Sequence, residues 1–118
     1  MSPQPPPERE LGLYEALIAT HPDIERKGKS SPYTAVNGNM FTILSAEGTV
    51  GMRLAGADRD AFTAAHRTGL YHAHGAVMRE YVAIPAGLLA RTAELAPWLA
   101  RSYDYAKSLK PKPTTRRR

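Results

Sequence analysis

A chain of 118 residues, 42% of them hydrophobic, has room for one domain with its own core. It contains no cysteine, which excludes thiol catalysis, disulfides and cysteine–zinc sites. The net charge of +5 belongs to one end: Lys107, Lys110, Lys112, Arg116, Arg117 and Arg118 stand there without an acidic residue, and taking these six from 16 Lys+Arg leaves 10 against 11 Asp+Glu.

In chain order, residues 1–8 ("MSPQPPPE") are too proline-rich and polar to build a core and are expected to form an extended, solvated lead-in. They hold no apolar run of the kind a secretory leader needs, and no stretch is long enough to span a bilayer, so a cytoplasmic setting without membrane attachment is expected. From Glu8 to Thr20, Leu13, Ala16, Leu17 and Thr20 recur at helical spacing, widened by Tyr14 and Ile18, and predict an amphipathic helix. Pro22 stops it. "ERKGKSS" then reads as a loop, and strand character begins near Pro32.

The run "VNGNMFTILSAEGTVGMRL" predicts three strands joined by two tight turns. Asn37-Gly38 is a strong hairpin signal, because a type I′ turn needs positive φ at both central residues. Strict alternation then puts Thr34, Val36, Phe41, Ile43, Val50, Met52 and Leu54 on a core face. Tyr33, Ala35, Met40, Thr42, Leu44, Gly51 and Arg53 fall on a mixed face. Of these, Tyr33, Met40 and Leu44 offer apolar surface to a flanking helix or to a second copy of the chain.

"GADRDAFTAAHR" predicts a helix with Phe62 inward and Gly69 as its left-handed cap. "LYHAHGAVMREYVAIP" returns to extended character, and "AGLLA" reads as one helical turn. A last helix from about Glu94 to Leu109 carries the stripe Leu95, Trp98, Leu99, Ser102, Tyr105, Ala106 and Leu109, with Pro97 tolerated only in its first turn. Residues 110–118 are expected to be a basic disordered tail beyond a single domain over residues 9–109. The elements define an α+β fold: an antiparallel β-meander packed by N- and C-terminal helices, with a helix inserted after the third strand.

Reactive groups do not announce themselves. His72 and His74 are two apart on a strand and His66 precedes them, but no "HExxH" pattern or acidic spacing supports a metal, and two surface histidines are the commoner outcome. A small ligand site or enzyme around His66, Tyr71, His72 and His74 stands as one alternative. Asp58 and Asp60 fit a helix start better than an acid–base pair. "RKGK" and the six cations of the tail can meet phosphates, so a nucleic-acid accessory role is a second alternative. No motif for base readout accompanies it, and such binding would fall steeply with salt.

Four segments, "VNGNMFTIL", "VGMRLAGADRDAFTAA", "MREYVAIP" and "WLARSYDYAKSL", resemble in order and spacing the N-terminal domain of the TfoX/Sxy family of bacterial competence regulators. That family shows an "NGKMFA" strand–turn–strand, a "MREWVVVP"-type segment and a closing helix with a tryptophan and an "AYA"-like pattern. The likeness runs from about Leu13 to Leu109. It departs where the family has a "KKMFG"-type segment and this chain reads "RKGKSSPY", and where larger members carry a further domain in place of the basic tail. The resemblance implies an α+β domain with no catalytic centre and no cofactor, which acts in transcriptional regulation through other proteins. It carries no residue-level roles onto this sequence.

Overall fold

A computed structural model describes residues 6–28, 31–73 and 75–112. The elements run α1 (Glu8–Ile18), β1 (Tyr33–Val36), β2 (Asn39–Leu44), β3 (Val50–Arg53), α2 (Gly56–His66), β4 (Leu70–Ala73), β5 (Ala76–Ile84), α3 (Ala86–Leu89) and α4 (Thr92–Ser108). The fold is α+β, with a five-stranded antiparallel sheet in the order β1-β2-β3-β5-β4. The first three strands are the expected meander. After α2, however, β5 rather than β4 joins β3, leaving β4 at the sheet edge.

The Asn37-Gly38 turn forms as its residue types require, with φ of 53° and 79°. Val36 faces Asn39 and Ala35 faces Met40, but Thr34 faces Thr42 instead of Phe41. Phe41 is an extra residue in β2, a β-bulge, and it reverses the facing of residues 42–44 relative to strict alternation. The second loop undoes the slip. Leu44 pairs with Val50, so five residues separate the strands, and an odd loop restores β3 to the expected facing. Two irregularities that strict alternation cannot contain therefore cancel. Thr34, Val50, Met52 and Leu54 lie inward as expected, whereas Thr42 and Leu44 are buried and Ile43 turns to the half-buried side.

Thr42 is thereby brought into the core with a hydroxyl to satisfy. Its Oγ1 lies 2.6 Å from Thr34 Oγ1 and 2.7 Å from the Tyr14 hydroxyl, all three residues being fully buried. Burial pushes the Tyr14 pKa up to about 12, against the lowering effect of the hydrogen bonds with Thr42 and Thr34. Ser102 of α4 closes the same region from above: its hydroxyl reaches the Arg53 carbonyl at 2.5 Å and the Phe41 carbonyl at 3.4 Å. Around this polar seam Leu17, Ile18, Phe41, Phe62, Leu88, Leu89, Leu95, Leu99 and Ala106 join the sheet residues in one core cluster.

Several boundaries differ from expectation. α2 is capped by Arg67, whose φ is 51° and whose N–H donates to the Thr63 carbonyl; Gly69 instead offers its carbonyl to Ala83 N–H, beside the start of β4. α4 begins at Thr92, so Pro97 sits beyond the first turn. Both Pro97 and Ala93 are exposed, and the carbonyl left without its helical donor can be hydrated. The ordered body also exceeds residues 9–109. Pro6 is buried, and residues 110–112 fold back over the first hairpin, where Lys112 N–H donates to the Asn37 carbonyl and the Asn39 amide to the Lys110 carbonyl. A side chain at Gly38 would lie 2.0 Å from the Lys112 carbonyl, so this strap depends on a glycine at the turn. Residues 1–5 and 113–118, assigned to solvated ends in the sequence reading, lie outside the described residues.

Removing the Thr42 hydroxyl leaves two buried hydroxyls short of a partner. Thr42→Val is expected to cost about 1–3 kcal/mol and Tyr14→Phe only about 1 kcal/mol, measured by urea denaturation. Equal costs would show that the three hydroxyls do not act as one network.

Candidate functional site

The candidate site residues of the sequence reading do not assemble into one place. Tyr33 and Met40 are half-buried on the side of the sheet opposite the core, together with Ile43. Leu44 is not with them: the bulge turns it inward, and at 1% exposure it cannot contribute to an interface. Tyr71 lies face-on to Gly51, where an added Cβ would meet its ring at 2.7 Å, and this packing leaves Tyr71 buried. His66 stacks against Phe62 with centroids 4.6 Å apart and lines a hollow of about 260 Å³ with Pro85, Gly87, Leu88, Arg91 and Glu94. His72 is exposed on β4 and does not line that hollow, and His74 falls outside the described residues. Among the described residues no three metal-ligating side chains converge.

The cations are dispersed in the same way. Arg26 lies 3.7 Å from Glu15, and the main chain of Lys27 pairs with Tyr33, extending the β1 edge. Lys29 lies outside the described residues. Lys107 reaches over the Tyr103 ring at 5.6 Å, and the main chains of Lys110 and Lys112 hold the hairpin strap. Arg116, Arg117 and Arg118 lie outside the described residues.

Two features do converge, and periodicity foreshadowed neither. The first is a polar clamp. Arg53 Nε donates to Glu80 Oε1 at 2.7 Å, and Tyr105 donates its hydroxyl to Glu80 Oε2 at 2.9 Å. The Arg53 guanidinium lies 6.0 Å from the Tyr81 ring centroid and 5.9 Å from that of Tyr105, within cation–π range. Met40 supplies its carbonyl to Tyr81 Oη at 2.7 Å and to Arg53 at 3.3 Å. β2, β3, β5 and α4 are thus tied through side chains. Burial would raise the Glu80 pKa, but the hydrogen bonds from Arg53 and Tyr105 and the charges of Arg53 and Arg59 outweigh it, and the carboxyl titrates below its usual range. Tyr81 moves the other way, pushed up to about 12 chiefly by burial.

The second feature is a groove of about 710 Å³ between α2 and the β4–β5 hairpin. Arg59, Asp60 and Thr63 come from α2, Thr68 and Gly69 from the link, Leu70 from β4, and Val77 and Arg79 from β5. Leu70 and Val77, 36% and 48% exposed, are the large hydrophobic residues left open among the described residues, and both line this groove. Its walls are fixed from behind. Arg59 donates to the Leu54 carbonyl at 3.0 Å, Thr63 to the Asp60 carbonyl at 3.1 Å and Thr68 to the Ala83 carbonyl at 2.7 Å. Arg79 and Asp60 take part in no ion pair among the described residues.

Two open aliphatic side chains in a concavity that two arginines also line suit recognition of a partner, and exposed aliphatic side chains gathered in one concavity are what a docking surface presents. Nothing in spacing alone brings residues 59–63 beside residues 77–79. No protein-family model matches the chain, and neither the curated proteins nor the solved structures gave a match.

The clamp makes two pH predictions. Because the folded pKa of Glu80 lies below 4.5, its stabilisation is present above pH 4.5 and is lost as pH falls through the folded value. Arg53→Met should shrink that acid limb, leaving what Tyr105 and Arg59 contribute, and cost about 1–2 kcal/mol at neutral pH, a modest loss because the Glu80 side chain is 38% exposed. Tyr81 and Tyr14 carry raised pKa values near 12, so the stability they contribute is whole below pH 10 and is lost as pH rises toward 12. Acid and alkaline unfolding followed by circular dichroism, with tyrosinate absorbance, checks both limbs. An unchanged acid limb in Arg53→Met would remove the clamp from the account.

Proposed function

We propose that this protein is an association module that seats a segment of another protein in the groove between α2 and the β4–β5 hairpin, and that it serves in transcriptional regulation. The observation that carries the binding reading is the gathering of Leu70 and Val77 in one trough that Arg59 and Arg79 also line. Aliphatic side chains left open singly are ordinary, but two gathered in one concavity are what a docking surface presents. The regulatory setting rests on the resemblance of "VNGNMFTIL", "MREYVAIP" and "WLARSYDYAKSL" to the TfoX/Sxy N-terminal domain, whose mode of action is through other proteins. Catalysis is given no role in this reading, since it draws on a docking surface and not on a nucleophile and its base.

A photo-crosslinking residue at position 77 should capture one defined partner in the native cell. The same residue at Glu47, exposed on the β2–β3 loop, should not. Val77→Asp should abolish capture from a second crosslinker at position 63 while leaving the melting temperature nearly unchanged, because position 77 is already half open to water. Equal capture from positions 77 and 47, or none from 77, would reject the groove as the binding surface.

A further inference from the structure

Resting on that reading, we infer that the occupant of the groove is an acidic peptide segment carrying an aliphatic or aromatic anchor. The chemistry of the walls selects it. Thr63 and Thr68 already donate their hydroxyl protons to main-chain carbonyls, so toward the groove they can only accept. The outward donors are the arginines. Arg59 spends one N–H on the Leu54 carbonyl, which fixes its direction and leaves the rest of its fork unspent; Arg79 has no ion-pair partner among the described residues. Glu80, next in sequence to Arg79, feels the charge of Arg59, but its carboxylate is bonded by Arg53 and Tyr105 and it does not line the groove. Two guanidinium groups against the single carboxylate of Asp60 leave the lining net positive. A ligand must therefore bring acceptors, and carboxylates match the guanidinium fork.

Other occupants fit less well. A small acid would have to be enclosed to gain affinity, because ligand pockets cover about 70–90% of a bound molecule. This groove is an open trough with its aliphatic side chains reaching solvent. Single-stranded nucleic acid is held by stacking on aromatic rings along a row of cations. Here the lining contains no aromatic residue, and its apolar part is Leu70 and Val77. A second copy of this chain, with 10 Lys+Arg against 11 Asp+Glu once the six cations of its basic end are set aside, offers no marked acidic excess to match two arginines. A peptide with an apolar anchor flanked by Asp or Glu satisfies both halves of the lining at once.

The test is selection of short random peptides displayed on phage against the immobilised full chain. Selected peptides are then measured by fluorescence anisotropy against the wild type, Val77→Asp, Arg79→Glu and Arg59→Gln, with circular dichroism confirming that each variant folds. Enrichment of Asp and Glu around a Leu, Ile or Phe, with binding weakened about tenfold by Val77→Asp and by added salt, is the expected result. Arg79→Glu should shift preference toward peptides whose acids are replaced by lysine, a reversal that simple loss of structure cannot produce. Basic or uncharged winners that still need Val77 would overturn the acidic class and leave the groove reading standing. Winners indifferent to Val77→Asp would overturn the groove itself. No enrichment over bare support would reject a peptide ligand. A labelled DNA duplex whose binding is lost in Arg79→Glu, or self-association in light scattering that Val77→Asp abolishes, would give the groove to nucleic acid or to a second copy and sink the proposal.

Discussion

One extra residue in β2 governs the helix side of the sheet. The bulge at Phe41 brings Thr42 inward, and a buried hydroxyl between two apolar layers is tolerable only if it is bonded. Thr34 and Tyr14 meet that demand, so the register of the first hairpin and the seat of α1 are linked through a single oxygen. Ser102 meets the matching need on the carbonyl side, at Phe41 and Arg53, and draws α4 down at the same point. The five-residue loop between Leu44 and Val50 then returns β3 to its ordinary facing, and Val50 and Met52 extend the core toward Val82 and Ile84.

Beside the bulge the sheet is also held by charge. Arg53 and Glu80, with the hydroxyls of Tyr81 and Tyr105, join three strands to the last helix. Arg59 is drawn into the same field, since its charge helps to lower the Glu80 pKa while its guanidinium holds the Leu54 carbonyl. The groove begins at that arginine. Its cation is therefore presented by the stiff part of the molecule, and the ordering of a flexible side chain is not left to the binding event. Gly51 has the complementary role on the sheet, where the missing side chain lets Tyr71 lie flat and keeps β4 close to β3.

Function on such a framework resides in surface chemistry, since the fold alone accommodates many roles. The described residues gather no metal ligands, and no helix among them is long and apolar enough to cross a membrane. What they do gather is an aliphatic pair and two arginines in one trough.

The sequence by itself determined the kinds of element and most of their inward positions, because these follow from local chemistry. Positive φ at Asn37-Gly38 made the first turn, apolar spacing made α1, α2 and α4, and the parity of Val50, Met52 and Leu54 needed nothing beyond the chain itself. Only the tertiary structure decided the bulge at Phe41, since an inserted residue leaves no mark on a hydrophobic pattern and gains its stability from Tyr14, 28 positions away from Thr42. The same holds for the place of β5 beside β3, for the return of residues 110–112 to the hairpin, and for the groove. Arg59 and Arg79 are twenty residues apart in a list; they share one trough only because α2 packs on β5, and burial competes over the whole chain at once.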